Sequence, residues 1–206
     1  MNRRLLIPLA LAAVALVAFV FARAETPAMA ADTPTYISQR SCKKCHFKQA
    51  KSWKKTVHKS AMDLLKPGER ADVKKKFKLD PEKDYTKDPK CLACHTTGYG
   101  KPGGYPAYKE TWSEDEAKLA KNNAGVGCEA CHGPGSLYTP YKKDHEDFKR
   151  ADVVKLGLVS PVTKEMCLEC HNKENPVSGD GYTFDFEKRK ADPKGIHEHT
   201  PLKNEH

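Results

Sequence analysis

A five-residue pattern, C-x-x-C-H, occurs four times in this chain and accounts for all eight of its cysteines. The copies span residues 42–46, 91–95, 128–132 and 167–171. Two cysteines separated by two residues and followed at once by histidine are typical of covalent c-type haem attachment, in which the thiols bond to the vinyl groups and the histidine ligates the iron. We therefore predict four haem c groups, attached through Cys42, Cys45, Cys91, Cys94, Cys128, Cys131, Cys167 and Cys170, with the proximal iron ligands His46, His95, His132 and His171.

Other uses of paired cysteines explain this pattern less completely. A zinc ribbon, a thioredoxin-like redox pair or a disulfide framework would also use such pairs, but none of them requires a histidine directly after the second cysteine. Histidine supplies only 9 of the 206 residues, yet it follows all four pairs. Haem attachment is the interpretation that accounts for both residue types.

The first 30 residues have the pattern of an export signal. Arg3 and Arg4 precede an apolar run at residues 5–21, and Ala-Met-Ala at residues 28–30 provides a small-residue cleavage site. An uncleaved membrane anchor is the alternative, although a run of about 17 residues is at the short end for a spanning helix. We expect a signal peptide over residues 1–30 and no stable membrane span after cleavage. The expected location is the periplasm, with the cell surface or an extracellular filament as alternatives.

The length of the remaining chain limits the kind of core it can form. Residues 31–206, about 176 residues or about 44 per haem, are enough for one tetrahaem domain. So little protein cannot surround each haem separately, so the haems must form most of the core. We therefore predict four closely packed haems with the chain wrapped around them. Together with the helical patterns and the family resemblance given below, this makes the expected fold a mostly α multihaem cytochrome c fold of short helices and loops. The excess of 36 basic over 27 acidic residues would balance haem propionates, and we expect no nucleic-acid partner because no such motif is present.

Two local patterns predict helices in the first part of the domain. Apolar residues recur at three- and four-residue steps over residues 47–64 and predict a helix that Pro67 and Gly68 end. Ser113 and Glu116 form the pattern of a capping box, which predicts a short helix from there through residue 121.

The second part of the domain has weaker signals. Gly-Pro-Gly at residues 133–135 argues against a helix directly after the third motif. A further helix is predicted over residues 144–156, where Gly157 would end it. Aromatic residues alternate over residues 182–186, which predicts a short strand.

The residues available as sixth iron ligands are mainly histidines. Only Met62 and Met166 would remain after signal removal, and Met166 directly precedes Cys167, so it cannot reach the far side of that haem. Distal ligation is therefore expected from histidine, which gives lower reduction potentials than a His/Met pair. The histidines outside the four motifs are His58, His145, His197, His199 and His206.

Spacing restricts two of these candidates. If residues 47–64 are one helix, His58 lies about 18 Å along the axis from His46, whereas two ligands of one iron lie about 4 Å apart. His58 should therefore serve a haem other than the first. His197 and His199 are two residues apart, so at most one of them is expected to serve a given haem from that element.

Further segments outside the haem motifs resemble a known family, the tetrahaem cytochrome c-554 electron carriers of ammonia-oxidising bacteria. The resemblance covers most of residues 31–206, and its most specific matches are at residues 52–53, 58–62, 78–86, 98–105, 125–135, 144–145, 182–184 and 197–199. It implies a helical fold around stacked haems and three bis-histidine haems with distal ligands His58, His145 and His197. It also implies that the haem of His95 is five-coordinate. The pairing of distal histidines with particular haems stays open, apart from the exclusion of His58 from the first.

Two departures from the family pattern leave alternatives open. Fewer residues separate His171 from Tyr182 than in the family, and the chain stops at His206 instead of continuing in a longer tail. Related tetrahaem cytochromes form extracellular filaments in which a histidine crosses between subunits, and His199 or His206 could do so here. We expect an electron carrier, not an enzyme, acting between redox partner proteins. The alternatives are a filament subunit that self-assembles through a C-terminal histidine, and reduction of a small nitrogen oxide or peroxide at the His95 haem.

Overall fold

The described part of the protein, residues 33–202 of a computed structural model, consists of short helices joined by turns and loops. No β-strand forms within this range, and its one isolated β-bridge joins Thr96 to Ala124. The predicted mostly helical fold is confirmed. The segment expected to be a signal peptide and the candidate ligand His206 lie outside the described residues. The helices are α1 Gln39–Cys42, α2 Phe47–Trp53, a 3₁₀ helix Ala61–Leu65, α3 Ala71–Lys76, α4 Pro89–His95, α5 Glu114–Asn123, α6 Cys128–His132, α7 Tyr138–Asp144, α8 Arg150–Lys155, α9 Lys164–Leu168 and α10 Phe186–Lys190.

Local sequence explains where several of these helices begin and end. Asp88 caps α4 by accepting a hydrogen bond from the Lys90 amide, and Pro89 occupies the first helical position, where its missing N–H costs nothing. The predicted capping box is present at α5, where Ser113 and Glu116 bond each other's backbone amides. Gly133 ends α6 with φ of 77°, a conformation that favours glycine.

The predicted helix over residues 47–64 is wrong as one element. α2 ends at Trp53, a turn follows, and a 3₁₀ helix begins at Ala61. Contacts with distant segments hold the turn, because the Val57 amide bonds the Lys194 carbonyl and the His58 carbonyl accepts from the Val126 amide. His58 therefore lies in a turn, and the axial distance expected from His46 does not apply.

The predictions for the second half are partly wrong. The helix expected over residues 144–156 forms only as α8, because the Asp152 carboxylate accepts from the Lys149 amide and sets the start at Arg150. The strand expected over residues 182–186 does not form, and Phe186 begins α10 instead. The aromatic alternation has another cause, since Tyr182 and Phe184 both contact the His171 ring.

The apolar core of the described chain is small and divided. One cluster surrounds α4, and its buried members are Leu65, Tyr85, Leu92, Tyr105 and Ala120. The other lies between α7 and α8, with Tyr138, Val153 and Leu158 buried. Clusters of this size are too small to stabilise so many short helices by themselves, as expected if haem supplies most of the core. Between residues 33 and 202, no helix has the length and apolar character needed to cross a membrane.

Candidate haem-binding site

Each C-x-x-C-H motif adopts a helical turn, which places its functional side chains on one side. The second and third motifs lie within α4 and α6, while the first follows α1 and the fourth extends from α9 into a turn. The His46 amide bonds the Cys42 carbonyl at 3.0 Å, and the His171 amide bonds the Cys167 carbonyl at 2.9 Å. Residues three and four apart share a helix face, so the second cysteine and the histidine of each motif lie beside the first cysteine.

The cysteines of different motifs meet in pairs. The side chains of Cys42 and Cys128 form a hydrogen bond, which raises the pKa of Cys42 and lowers that of Cys128. The corresponding contact between Cys94 and Cys170 raises the pKa of Cys170 and lowers that of Cys94 to about 7. These sulfurs would be thioethers with haem attached, so the contacts matter as evidence that the first motif adjoins the third and the second adjoins the fourth.

A further contact between cysteines of different motifs connects the two pairs. Burial raises the pKa of the Cys131 thiol to about 11, and the neighbouring Cys167 thiol makes a smaller contribution in the same direction. The third and fourth motifs are therefore neighbours. The thiols do not gather into a zinc-type tetrad, because no group of three or more metal-ligating side chains assembles among the described residues.

Hydrogen bonds at Nδ1 orient the rings of His95, His132 and His171. The His95 Nδ1 lies 2.6 Å from the Ala61 carbonyl oxygen, and the His132 Nδ1 lies 3.1 Å from the Val159 carbonyl oxygen. The His171 Nδ1 is 3.4 Å from the Tyr182 hydroxyl. Hydrogen bonds of this kind fix the ring orientation and leave Nε2 available to a metal.

Burial keeps the candidate ligands in the form that binds iron. Desolvation lowers the pKa of His58, His95, His132 and His171, so the neutral imidazole is favoured at neutral pH. A neutral ring nitrogen has the lone pair that a metal requires, whereas a protonated ring does not.

Two histidine pairs have the separation of axial ligands. The ring centres of His58 and His171 are 6.1 Å apart, and those of His132 and His197 are 6.3 Å apart. Two imidazoles on one iron have ring centres about 6 Å apart, because each metal–nitrogen bond is about 2 Å and each ring centre lies about 1 Å further on. The residues therefore fit a haem iron between the members of each pair.

The hydrogen bonds of the distal candidates agree with this geometry. The His197 Nδ1 lies 2.9 Å from the Glu198 carbonyl oxygen, which leaves Nε2 available to a metal. His58 forms a hydrogen bond with the backbone of Gly195, so the segment preceding His197 also orients His58. The Ser52 hydroxyl accepts from the Glu198 amide at 2.8 Å and ties this C-terminal segment to α2.

The remaining candidate histidines lie elsewhere. His145 is exposed at the end of α7, where its ring stacks on Tyr141 at 3.9 Å and its Nδ1 lies 3.0 Å from the Tyr141 carbonyl oxygen. The side chain of Lys142, on the same helix, lies near the thiols of Cys45 and Cys42. α7 is therefore beside the first motif. His199 is exposed.

The structural roles of two residues in this arrangement were not identified from the sequence. Glu129, inside the third motif, is only 1% exposed although it carries a carboxylate. Gly125 has φ of 86°, and a Cβ there would lie 2.5 Å from the Lys59 carbonyl oxygen. The signals were an acidic residue between two haem-attaching cysteines and a glycine shortly before a motif, and neither has a definite meaning without the fold.

Gly125 provides a test of how His58 is positioned. We expect Gly125→Ala to destabilise the haem-containing protein by about 2 kcal/mol or more, since it combines left-handed strain with a backbone clash beside His58. Gly100→Ala is the matched control, with φ of 69° and nothing within 4 Å of the added Cβ. Thermal unfolding should separate the two variants, and equal losses would show that the contact with residue 59 contributes nothing.

Four haem-attachment turns, two of them facing a second imidazole, define the class of the protein as a multihaem c-type cytochrome. Comparison with known proteins places it more narrowly. The family model for cytochrome c554 and c-prime matches residues 41–133. The chain is 35% identical over 208 aligned positions to cytochrome c-554 of Nitrosomonas europaea, which covers 90% of this chain and 84% of that protein.

A solved structure, the reduced state of cytochrome c554 from Nitrosomonas europaea, has a similar fold. The TM-score is 0.68 at 34% sequence identity, over 83% of this chain and 88% of the other. The chain belongs to the cytochrome c554 family, whose members are tetrahaem c-type cytochromes that transfer electrons. The predicted family, fold, haem cofactor and electron-transfer function are therefore confirmed.

Proposed function

We propose that this protein is a periplasmic carrier that passes electrons through its haem-attachment motifs in the order first, third, fourth, second. Bound haem supplies iron that alternates between the ferric and ferrous states, which allows single electrons to be accepted and released. The observation that carries the proposed order is the pairing of thiols, Cys42 with Cys128 and Cys94 with Cys170. The proximity of Cys131 to Cys167 links the two pairs. The partners would be redox proteins at the two ends of this series.

Three of the motifs would have a second histidine ligand. The ring separations support His58 as the distal ligand opposite His171, and His197 opposite His132. His145 is then assigned to His46, because α7 lies beside the first motif and both other distal candidates are used. On this assignment His58 would serve the fourth haem and not the first, and the support for it is the contact with His171, not a helical spacing.

The second motif would be the one without a distal histidine. His95 contacts the Ala61 carbonyl through Nδ1. His58, His145 and His197 are assigned to the other three motifs, so none of them would be left for this one. A position left open at one haem allows a small diatomic ligand to bind there. We infer electron transfer as the role of this haem as well, since the family is one of electron carriers.

Ligand binding to the reduced protein tests this assignment. We expect carbon monoxide to bind at one haem of the four, and titration with optical detection should give that stoichiometry. The spectrum of the oxidised protein should contain one high-spin component that does not change on dilution.

If dilution converts a low-spin haem into a high-spin haem, the sixth ligand comes from a second subunit through His199 or His206, and the protein is a filament subunit instead of a monomeric carrier. Steady turnover of nitric oxide by the purified protein would favour the enzymatic alternative.

A further inference from the structure

The third attachment motif contains a buried acid that forms no ion pair within the described part of the chain. Glu129 follows the first cysteine of the motif and is 1% exposed. Leu92 has the same place in the second motif and is 0% exposed, so this position accepts an apolar side chain. Between residues 33 and 202, no lysine or arginine forms an ion pair with Glu129. Burying an unpaired charge is costly, so its presence here calls for an explanation beyond packing.

Backbone amides favour the ionised form of this side chain and oppose the effect of its burial. One oxygen, Oε1, accepts from the Gly135 amide at 2.8 Å and from the Ile37 amide at 2.9 Å, while Oε2 lies 3.2 Å from the Ile37 amide. The Ser38 amide is a further donor. Burial raises the pKa of Glu129, and these hydrogen bonds oppose that effect. All of these groups are donors, so they stabilise the carboxylate, in which both oxygens accept, more than the protonated acid, in which one oxygen would itself need an acceptor.

The charge lies in the third motif and contacts the segment that leads into the first. Glu129 directly follows Cys128, and it bonds the amide of Ile37, two residues before the helix that ends at Cys42. Hydrogen bonding between Cys42 and Cys128 dominates the pKa values of these two thiols, and the Glu129 charge makes a smaller, upward contribution at both. It contributes in the same direction at Tyr36 and Tyr138, whose pKa values are raised mainly by burial. A fixed negative charge in a desolvated site stabilises nearby ferric iron relative to ferrous iron, because reduction removes a positive charge.

We propose that the buried carboxylate of Glu129 lowers the reduction potentials of the haems at the first and third motifs relative to those at the second and fourth. The proposal rests on the haem arrangement given above as the proposed function. The haems at the first and third motifs would then form a lower-potential pair, and those at the fourth and second motifs a higher-potential pair. Electrons that enter at the first motif are then driven toward the second.

A lysine close to the first motif has an effect of opposite sign. Lys142 is half-buried, and desolvation lowers its pKa to about 8, with the Cys45 and Cys42 thiols offsetting part of the change. Its ammonium group is more exposed to solvent than Glu129, so water screens its charge more effectively. Lys142→Gln should therefore lower the potential at the first motif slightly, which provides a control of opposite sign.

A pair of substitutions separates the charge of Glu129 from its role as a backbone anchor. Glu129→Gln keeps an acceptor for the Ile37 and Gly135 amides while removing the charge. We expect the potentials of two haems to rise, each by about a tenfold shift in the oxidation equilibrium or about 59 mV, with the other two unchanged. Glu129→Asp retains the charge but shortens the side chain, so it should lower the thermal unfolding temperature and leave the potentials near their original values.

The measurement is a potentiometric titration of the haem-containing protein followed by low-temperature EPR. Signals from the fourth, first and third haems are assigned with His58→Gly, His145→Gly and His197→Gly. The proposal is overturned if Glu129→Gln shifts all four haems equally or shifts none, or if it shifts the second and fourth while the distal assignments given above are confirmed. A shift caused by Glu129→Asp as large as that caused by Glu129→Gln would also overturn it, because the charge is then not the cause. A different result is a change in the reduction potentials of other haems, together with distal assignments that differ from those above. In that case the proposed haem arrangement is wrong, and the electrostatic role of Glu129 is not contradicted.

Discussion

Without its haem-attaching cysteines, the chain should fail to fold. The described helices contain only 4 to 10 residues each, and isolated helices shorter than about 12–15 residues are marginal in water. The two apolar clusters have five and three buried residues, which cannot offset the conformational entropy of some 170 ordered residues. Haem attachment and ligation must therefore supply much of the folding free energy, as in other small metal-dependent domains.

The experiment replaces all eight cysteines with serine and compares the product with the haem-containing protein. We expect the far-ultraviolet circular dichroism of an unfolded chain and no cooperative transition in urea, whereas the parent protein unfolds cooperatively. Losing the third motif alone, through Cys128→Ser and Cys131→Ser, should be more damaging than losing the first through Cys42→Ser and Cys45→Ser. The third motif has two neighbouring motifs in the proposed series and the first has one. A cooperative transition in the haem-free chain would show that the protein core is sufficient.

The sequence was informative where a short local pattern of residues has one chemical explanation. Cysteine pairs followed by histidine predicted the haem cofactor, and the resemblance to the cytochrome c-554 family predicted a helical fold around the haems. The capping box at Ser113 was predicted correctly because both of its hydrogen bonds are local. These features depend on residues close together in the chain.

Features that depend on distant contacts were not predictable from the sequence. The periodicity over residues 47–64 is real, but the hydrogen bonds from Val57 to Lys194 and from Val126 to His58 end the helix early. Tyr182 and Phe184 alternate because both contact one histidine and not because they form a strand. Likewise, no spacing rule could pair His58 with His171, since they are brought together by a turn that itself depends on the rest of the fold.

Pairing of the distal histidines leads to the largest expected spectroscopic change. We expect His58→Gly to convert the fourth haem from low-spin to high-spin, and His197→Gly to convert the third. Both substitutions remove an imidazole whose ring centre lies within 6.3 Å of a proximal histidine ring. Each loss should also raise the potential of the affected haem, because an electron-rich ligand that favours ferric iron is gone. Added imidazole should enter the space left by glycine and restore the low-spin signal.

His199→Gly is the matched control, because this residue is exposed and lies two positions from His197. It should leave all low-spin signals unchanged in protein shown to be monomeric. If His199→Gly changes a signal and His197→Gly does not, the ligand at this end of the chain is wrong by two residues. A spectrum with only low-spin haems in the unaltered monomer would contradict the open position at His95, since a fourth distal ligand would then have to come from the same chain. The imidazole rescue separates the loss of a ligand from general disruption of the fold. Free imidazole can restore the low-spin signal of the affected haem only if the substitution has left its iron position empty.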